Sequence, residues 1–236
     1  MTTVLPNQQS NQLLRCLSNS DLALIQPYLK PVELTFRKRL QSVNRKIKEV
    51  YFPESGLGSV VAVSGGERRQ AEVGVIGRDG MTGLAIVLGT DRGPCEIFMQ
   101  VEGVGQCISA DDLREAFDKS ATLHRCLLHF AHVFGVQNSY TALANAHGTV
   151  EERCSRWLLM SHDRLESDEL HLTHDFLALM LGVRRAGVTI ALGHLEGRGL
   201  ISTARGAVTV VDRDGLEESA NGLYGVPEAE FERLFG

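Results

Sequence analysis

The chain lacks any apolar run near the roughly 20 residues needed to span a bilayer, so no segment of its 236 residues reads as a membrane helix. Its start, Met1-Thr2-Thr3-Val4-Leu5-Pro6, has neither the basic opening nor the apolar core of a signal peptide. Cysteine is scarce and scattered: Cys16, Cys95, Cys107, Cys126 and Cys154, an odd number without short spacings. That argues against a disulfide framework and for reduced thiols in a cytoplasm, and it leaves no cysteine cluster to hold iron and sulfur. There is no Walker lysine pattern and no Gly-x-Ser-x-Gly elbow. No cofactor or catalytic site is therefore expected, and the chain is expected not to be an enzyme. Basic charge is also short, with 24 Lys and Arg against 29 Asp and Glu and a formal net charge of −5. Such a balance does not announce a nucleic-acid binder, so any basic surface has to be local.

What is present is a change of pattern along the chain. From about 11 to 110, glycines punctuate short β-rich runs such as Gly58-Ser59-Val60-Val61-Ala62-Val63, Ala71-Glu72-Val73-Gly74-Val75-Ile76 and Glu96-Ile97-Phe98-Met99-Gln100-Val101. Turn signals at this spacing predict a small barrel or jelly roll, with Gly65-Gly66 as a hairpin turn. From about Ala110 to His147 the pattern becomes helical, with Ser109 and the acidic pair Asp111-Asp112 at its start. Leu123, Leu127, Phe130 and Phe134 fall on one stripe, widened by Leu128, Ala131, Val133 and Val136. A helix this apolar needs a partner, and the expected partner is a second copy of the chain. His129 and His132 share a helical face with no third ligand beside them, and His124 lies nearby; packing is the expected role and no metal site is predicted. A haem sensor would need only one such histidine as an axial ligand.

The most informative stretch runs from Leu172 to Val211. Thr173 is placed to cap a helix over His174 to Leu181, Gly182 supplies a sharp turn, and a second helix is predicted from Arg184 to Glu196. Val188, Leu192 and Leu195 share one face of that helix, and Gly197 and Gly199 end it. Leu200 to Thr203 and Val208 to Val211 flank Ala204-Arg205-Gly206-Ala207 as a hairpin. This is the order of a winged helix-turn-helix, whose second helix enters the DNA major groove. Between Phe176 and Val211, Arg184, Arg185, Arg198 and Arg205 face Glu196 alone. Upstream, Thr149-Val150-Glu151-Glu152 starts another helix with Trp157, Leu158 and Met160 as core candidates, and Pro227 to Phe235 is a short closing helix.

Taken together, the segments Glu152 to Met160, Leu172 to Val183, Leu195 to Ile201 and Val50-Tyr51-Phe52-Pro53-Glu54-Ser55-Gly56 resemble the cyclic-AMP receptor protein/FNR family of transcription regulators, in an orphan-like branch. The resemblance covers nearly the whole chain. It implies an α+β architecture: a cyclic-nucleotide-binding-like β-barrel (jelly roll) over 11–118, a dimerisation helix over 119–147 with Leu123, Leu127, Phe130 and Phe134 in the seam, and a winged helix-turn-helix over 148–236. It implies double-stranded DNA with a two-fold-symmetric site as partner, a homodimer, and RNA polymerase as a further candidate partner. By the same resemblance Arg185 is the base reader, with Thr173, Arg184, Ala186 and Thr189 beside it and Arg205 on phosphate.

The departures concern the ligand. The cassette corresponds to Gly80, Met81, Thr82, Gly83 and Leu84, with Met81 in the ribose-binding glutamate position. Arg92-Gly93-Pro94-Cys95-Glu96 stands where an arginine-serine pair would hold the phosphate. Pro94 offers no N–H and Glu96 would repel an anion, so regulation by cyclic AMP is not expected. The alternative reading is a regulatory protein whose barrel senses another small ligand.

Overall fold

The computed structural model describes residues 10–64 and 69–236. The predicted Gly65-Gly66 turn lies outside the described residues. Two short helices, α1 (Gln12–Arg15) and α2 (Asn19–Ile25), open the fold, and each has its own cap: Asn11 accepts from the Leu14 amide and Ser18 from the Asp21 amide. Seven strands follow, β1 (Lys30–Leu34), β2 (Arg39–Gln41), β3 (Glu49–Pro53), β4 (Leu57–Ser64), β5 (Arg69–Ile76), β6 (Cys95–Val101) and β7 (Gly103–Ser109), with the one-turn helix α3 (Leu84–Val87) between β5 and β6.

These strands form two antiparallel sheets, ordered β1-β7-β3 and β2-β6-β4-β5. The expected barrel is thus a pair of open sheets in a jelly-roll-like arrangement. Among the described residues no ladder joins them; their apolar faces do, through Leu34, Tyr51, Met99 and Cys107, which pack as one cluster drawn from both sheets. Register shifts in β4 at Leu57/Gly58 and Val60/Val61 bend that strand where it pairs with β6 and β5.

The helical region predicted from Ala110 to His147 is two helices, α4 (Ala110–Lys119) and α5 (Ala121–His147). Ser120 breaks it by adopting an extended backbone, and its hydroxyl caps α5 by accepting from the Leu123 amide. The stripe assigned to a dimer seam faces inward. Leu123, Leu127, Phe130 and Phe134 are at most 7% exposed. The first three pack with Leu13, Met81 and Ile86 under the sheets, and Phe134 packs with Val60, Ile76 and Ile97. Their partner is the chain's own sensor domain, which corrects the sequence expectation for these four residues.

The C-terminal part starts with α6 (Val150–Arg164), where Thr149 and Glu152 form a reciprocal capping box. Strand β8 (Glu169–His171), helices α7 (His174–Leu181) and α8 (Arg185–Gly197), strands β9 (Ile201–Ala204) and β10 (Ala207–Val210), and helices α9 (Arg213–Ser219) and α10 (Val226–Phe235) complete it. Trp157, Leu158 and Met160 are buried in its core with Leu177, Val188, Leu192 and Leu195. Among the described residues, no single helix is long and apolar enough to cross a membrane. The apolar bent pair α7–α8 bends by 106° and buries Leu177, Leu181, Leu192 and Leu195 in this core. Finally α10 returns along α5, where Glu230 meets His132 at 2.7 Å and the Phe235 carbonyl accepts from the Cys16 thiol at 3.4 Å.

Candidate nucleic-acid interface

The helix-turn-helix is built from local chemistry. The Thr173 hydroxyl accepts from the Phe176 amide and starts α7. Gly182 ends it at φ 62°, in the left-handed region that glycine occupies without strain. The chain then turns on the bond from the Val183 amide to the Ala178 carbonyl, 3.0 Å. Arg184 is extended and stands at the N-cap of α8 without making a side-chain cap. The first amides of α8 are therefore left without a side-chain acceptor, at the positive end of the helix.

Helix α8 divides sharply into two faces. Val188, Ala191, Leu192 and Leu195 are buried, while Arg184, Arg185, Ala186, Thr189 and Ile190 are exposed. Thr189 donates to the Arg185 carbonyl at 3.2 Å and contacts His174 Nδ1 at 3.0 Å, which ties the reading face to the start of α7. Arg185 lies 3.4 Å from Asp175, with both side chains about two-thirds exposed (65% and 70%). An exposed pair of this kind contributes little and opens readily. Arg205 and Gly206 form the two-residue turn of the wing, with Gly206 at φ 78° and Ala204 paired to Ala207. Arg198 is engaged elsewhere, on Glu151 at 3.1 Å and Ser219 at 3.3 Å.

The cassette residues are not gathered around a cavity. Met81 is fully buried among Leu13, Leu127 and Phe130. Gly80 is pressed against the Phe130 ring, where a Cβ would collide with it. Thr82 is bonded both ways to Tyr51 of β3, each at 2.9 Å. Leu84 opens α3, Cys95 is half-buried with its thiol pushed up by burial, and Arg92 sits on the surface against Asp91. Glu96 pairs with Arg39. Val60, Ile76, Ile97 and Phe134 occupy the space beneath these strands. The three histidines also have partners: His124 donates to the Val87 carbonyl, His129 lies edge-on to Phe235, and His132 meets Glu230.

Sequence reasoning passed over the polar contact between the sheets and the winged domain. In the sequence Glu72 is one residue of a β-rich run, yet in the fold it is 5% exposed. It accepts from Ser59, from the Trp157 indole of α6 at 2.7 Å and from Gln100 at 3.3 Å. A second tie joins Asp79 to buried Arg164 at 2.6 Å, and Arg78 to Glu166. The available signal was a lone carboxylate in an apolar strand. Burial lifts the Glu72 carboxyl to about 7, against the pull of Ser59, Trp157 and the fields of Arg156 and Arg164. A carboxyl whose proton is held more tightly in the folded chain contributes most below its ordinary value of 4.5, and that contribution is lost as pH rises toward about 7. Glu72→Gln keeps an acceptor for Trp157 and removes the charge. The variant is expected to be more stable than the parent at pH 8, by on the order of 3 kcal/mol at most, with the two converging near pH 4.5. Urea titrations across that pH range check it; an offset that does not change with pH would contradict the buried-charge account.

The comparisons agree with this architecture. Residues 152–219 match the Crp-like helix-turn-helix domain. No curated protein sequence matches the chain. Among solved structures, the chain is similar to FixK2 from Bradyrhizobium japonicum, with 14% identity over 81% of this chain and 96% of that one and a TM-score of 0.70. A CRP-family transcriptional regulator from Thermus thermophilus matches with 21% identity, coverage of 82% and 97%, and a TM-score of 0.66. The c-di-GMP-responsive global regulator CLP of Xanthomonas campestris matches with 16% identity, coverage of 82% and 99%, and a TM-score of 0.64.

Proposed function

We propose that this chain, which carries a Crp-like helix-turn-helix domain on the fold of Crp/Fnr transcriptional regulators, is a homodimeric regulator that reads a two-fold-symmetric DNA site without needing cyclic AMP. The observation that carries the reading is the two-faced α8. Its apolar face is buried, and its N-terminal half offers Arg184, Arg185, Ala186 and Thr189 to a major groove, with Arg205 on the wing beside it. Arg185 reads a guanine, Ala186 touches a thymine methyl, and Arg205 holds phosphate. Thr173 is the first residue of the motif on the same side.

The dimer seam moves to the outward face of α5. Leu128, Gly135 and Ala142 recur at heptad spacing and are exposed, with Ser139 and Ala146 four residues after the last two and Leu143 at 43% exposure beside them. Small residues along this face let two helices approach closely. The protein works in the cytoplasm, a reading supported by five unpaired cysteines. Burial pushes the thiols of Cys126 and Cys154 up to about 11 and about 12, so neither is a ready nucleophile. RNA polymerase is a candidate partner on resemblance alone.

Cyclic AMP is expected not to bind at micromolar concentration, because Met81 is core and Arg92 lies exposed on the surface beside Asp91. Calorimetric titration checks this; a saturable heat with micromolar affinity would overturn it. The regulator reading itself is tested by sedimentation of the protein with a duplex carrying its preferred sequence. Two chains per duplex are expected, and one chain per duplex at saturation would remove the homodimer from the account.

A further inference from the structure

A cavity of about 210 Å³ lies where the sensor sheets, α5, α6 and the C-terminal helix α10 meet. Its apolar walls are mainly aromatic. Phe130 and Phe134 come from α5, their ring centroids 6.4 Å apart, and Tyr224 and Phe231 come from the C-terminal segment. Val75 of β5 completes them. Among the described residues, none of the cassette from Gly80 to Leu84 lines this cavity, nor does Arg92 or Cys95.

The polar groups on its walls divide into satisfied pairs and a remainder. Arg164 is committed to Asp79 at 2.6 Å and to the Met160 carbonyl at 2.7 Å. Asp163 accepts from Arg213 at 2.8 Å and from the Tyr224 hydroxyl at 2.8 Å. Each of those carboxylates therefore has its own arginine. Glu228 has none. It is half-buried, it accepts from the Gly225 amide at 3.0 Å, and it makes no salt bridge among the described residues. Burial raises its carboxyl above the usual value, against the field of Arg164. Gln137 is 3% exposed and its Oε1 accepts from the Val75 amide at 2.8 Å, while its Nε2 makes no hydrogen bond among the described residues. The cavity thus offers aromatic faces, one carboxylate short of a cation and one amide donor short of an acceptor.

We infer that this cavity binds a small aromatic cation: one ring bearing an amidinium or a protonated amine, with its N–H groups donating to Glu228. Aromatic faces attract such a cation through their quadrupole, and an ammonium or amidinium gives the carboxylate a charge-assisted bond. Gln137 Nε2 suits an acceptor elsewhere on the ring. An anionic ring would meet Asp79, Asp163 and Glu228 together. The volume is below the roughly 300–1,000 Å³ of a drug-sized site, which limits the ligand to a single substituted ring. Because the walls come from the sensor sheets and from the segment beyond the wing, an occupant would clasp the two halves of the chain. Binding here does not depend on the regulator reading, and it is tested without DNA.

The probe is benzamidinium, titrated calorimetrically into the full chain, with benzoate (ring without cation) and guanidinium (cation without ring) as matched arms. Benzamidinium is expected to saturate one site per chain with a Kd of about 0.1–1 mM, reasonable for so small a ligand. Benzoate and guanidinium should each bind at least about tenfold more weakly. Glu228→Gln keeps an oxygen to cap the Gly225 amide and removes the charge, so it should weaken benzamidinium about tenfold or more. Phe231→Leu removes a ring from the α10 wall at similar volume and should weaken it too, which keeps the test informative if Glu228→Gln fails to fold. Thermal melts report on folding: the native transition should rise with benzamidinium, and a folded variant's should rise less. Benzamidinium that does not saturate, or binds folded Glu228→Gln and Phe231→Leu as tightly as the native chain, overturns the site. Benzoate binding as tightly as benzamidinium overturns the cationic ligand, and guanidinium binding as tightly overturns the aromatic one.

Discussion

Phe130→Glu is expected to unfold the sensor half of the chain, not to separate two protomers. The Phe130 ring is 4% exposed and packs with Leu127, Met81 and Leu13, with Gly80 pressed against it. Removing such a ring costs about 3–5 kcal/mol, and a carboxylate in its place adds the penalty of a buried unpaired charge. Set against a total stability of about 5–15 kcal/mol, that is enough to lose the fold near 37 °C. Leu128→Glu makes the contrast. Leu128 neighbours Leu127 in sequence but is 38% exposed on the outward face. It should keep its melting transition and fall from dimer to monomer at micromolar concentration. Thermal melts and sedimentation on both variants check the pair. A folded, monomeric Phe130→Glu would return the seam to the inner stripe and contradict the packing described here.

Arg185→Ala should cost about 1–3 kcal/mol per half-site and relax preference at one base pair, because a bidentate arginine contact discriminates among bases. Across two half-sites that is a loss of roughly tenfold to ten-thousandfold. The competing Asp175 pair is exposed, so releasing Arg185 from it costs little. Arg205→Ala should act differently. If on the wing turn it holds phosphate, as proposed, all sequences should weaken alike and the salt slope should fall by about one per lost contact. Titrations against single-base variants of the site at several salt concentrations separate the two. Equal weakening of every variant by Arg185→Ala would take base reading away from that residue.

The parts of the chain that were legible in the sequence are those governed by local chemistry. Thr173, Gly182 and the buried face Val188, Leu192, Leu195 mark α7, the turn and α8 because caps, a left-handed glycine and helical spacing each act within a few residues. The wing followed for the same reason, its turn narrowing to Arg205-Gly206. Strand β8 was missed because three residues, Glu169 to His171, are too few to show alternation; pairing with β10 makes it a strand. Helix α9 was hidden in an acidic tail, where the Asp212 cap was the only mark.

The seam failed for a more general reason. Helix α5 is apolar on more than one side, and the spacing of Leu123, Leu127, Phe130 and Phe134 suits a coiled-coil stripe as well as that of Leu128, Gly135 and Ala142 does. Only the position of the sheets decides which stripe is covered within the chain. The enclosure of Met81 was not legible either, since it depends on α1 and α5 arriving from distant sequence. Glu72 was legible as an oddity, but its donors come from β4, β6 and α6 and no local pattern announces them.

That the protein reads a specific DNA sequence as a dimer is a proposal, and selection from a pool of random duplexes by the purified native protein tests it. The enriched sequences are expected to converge on a two-fold-symmetric motif whose half-sites lie about one helical turn, roughly 10 bp, apart, with a guanine in each half-site that loses its enrichment when Arg185→Ala is used for the selection. A pool that stays random after repeated rounds, while the protein remains folded, would contradict the claim.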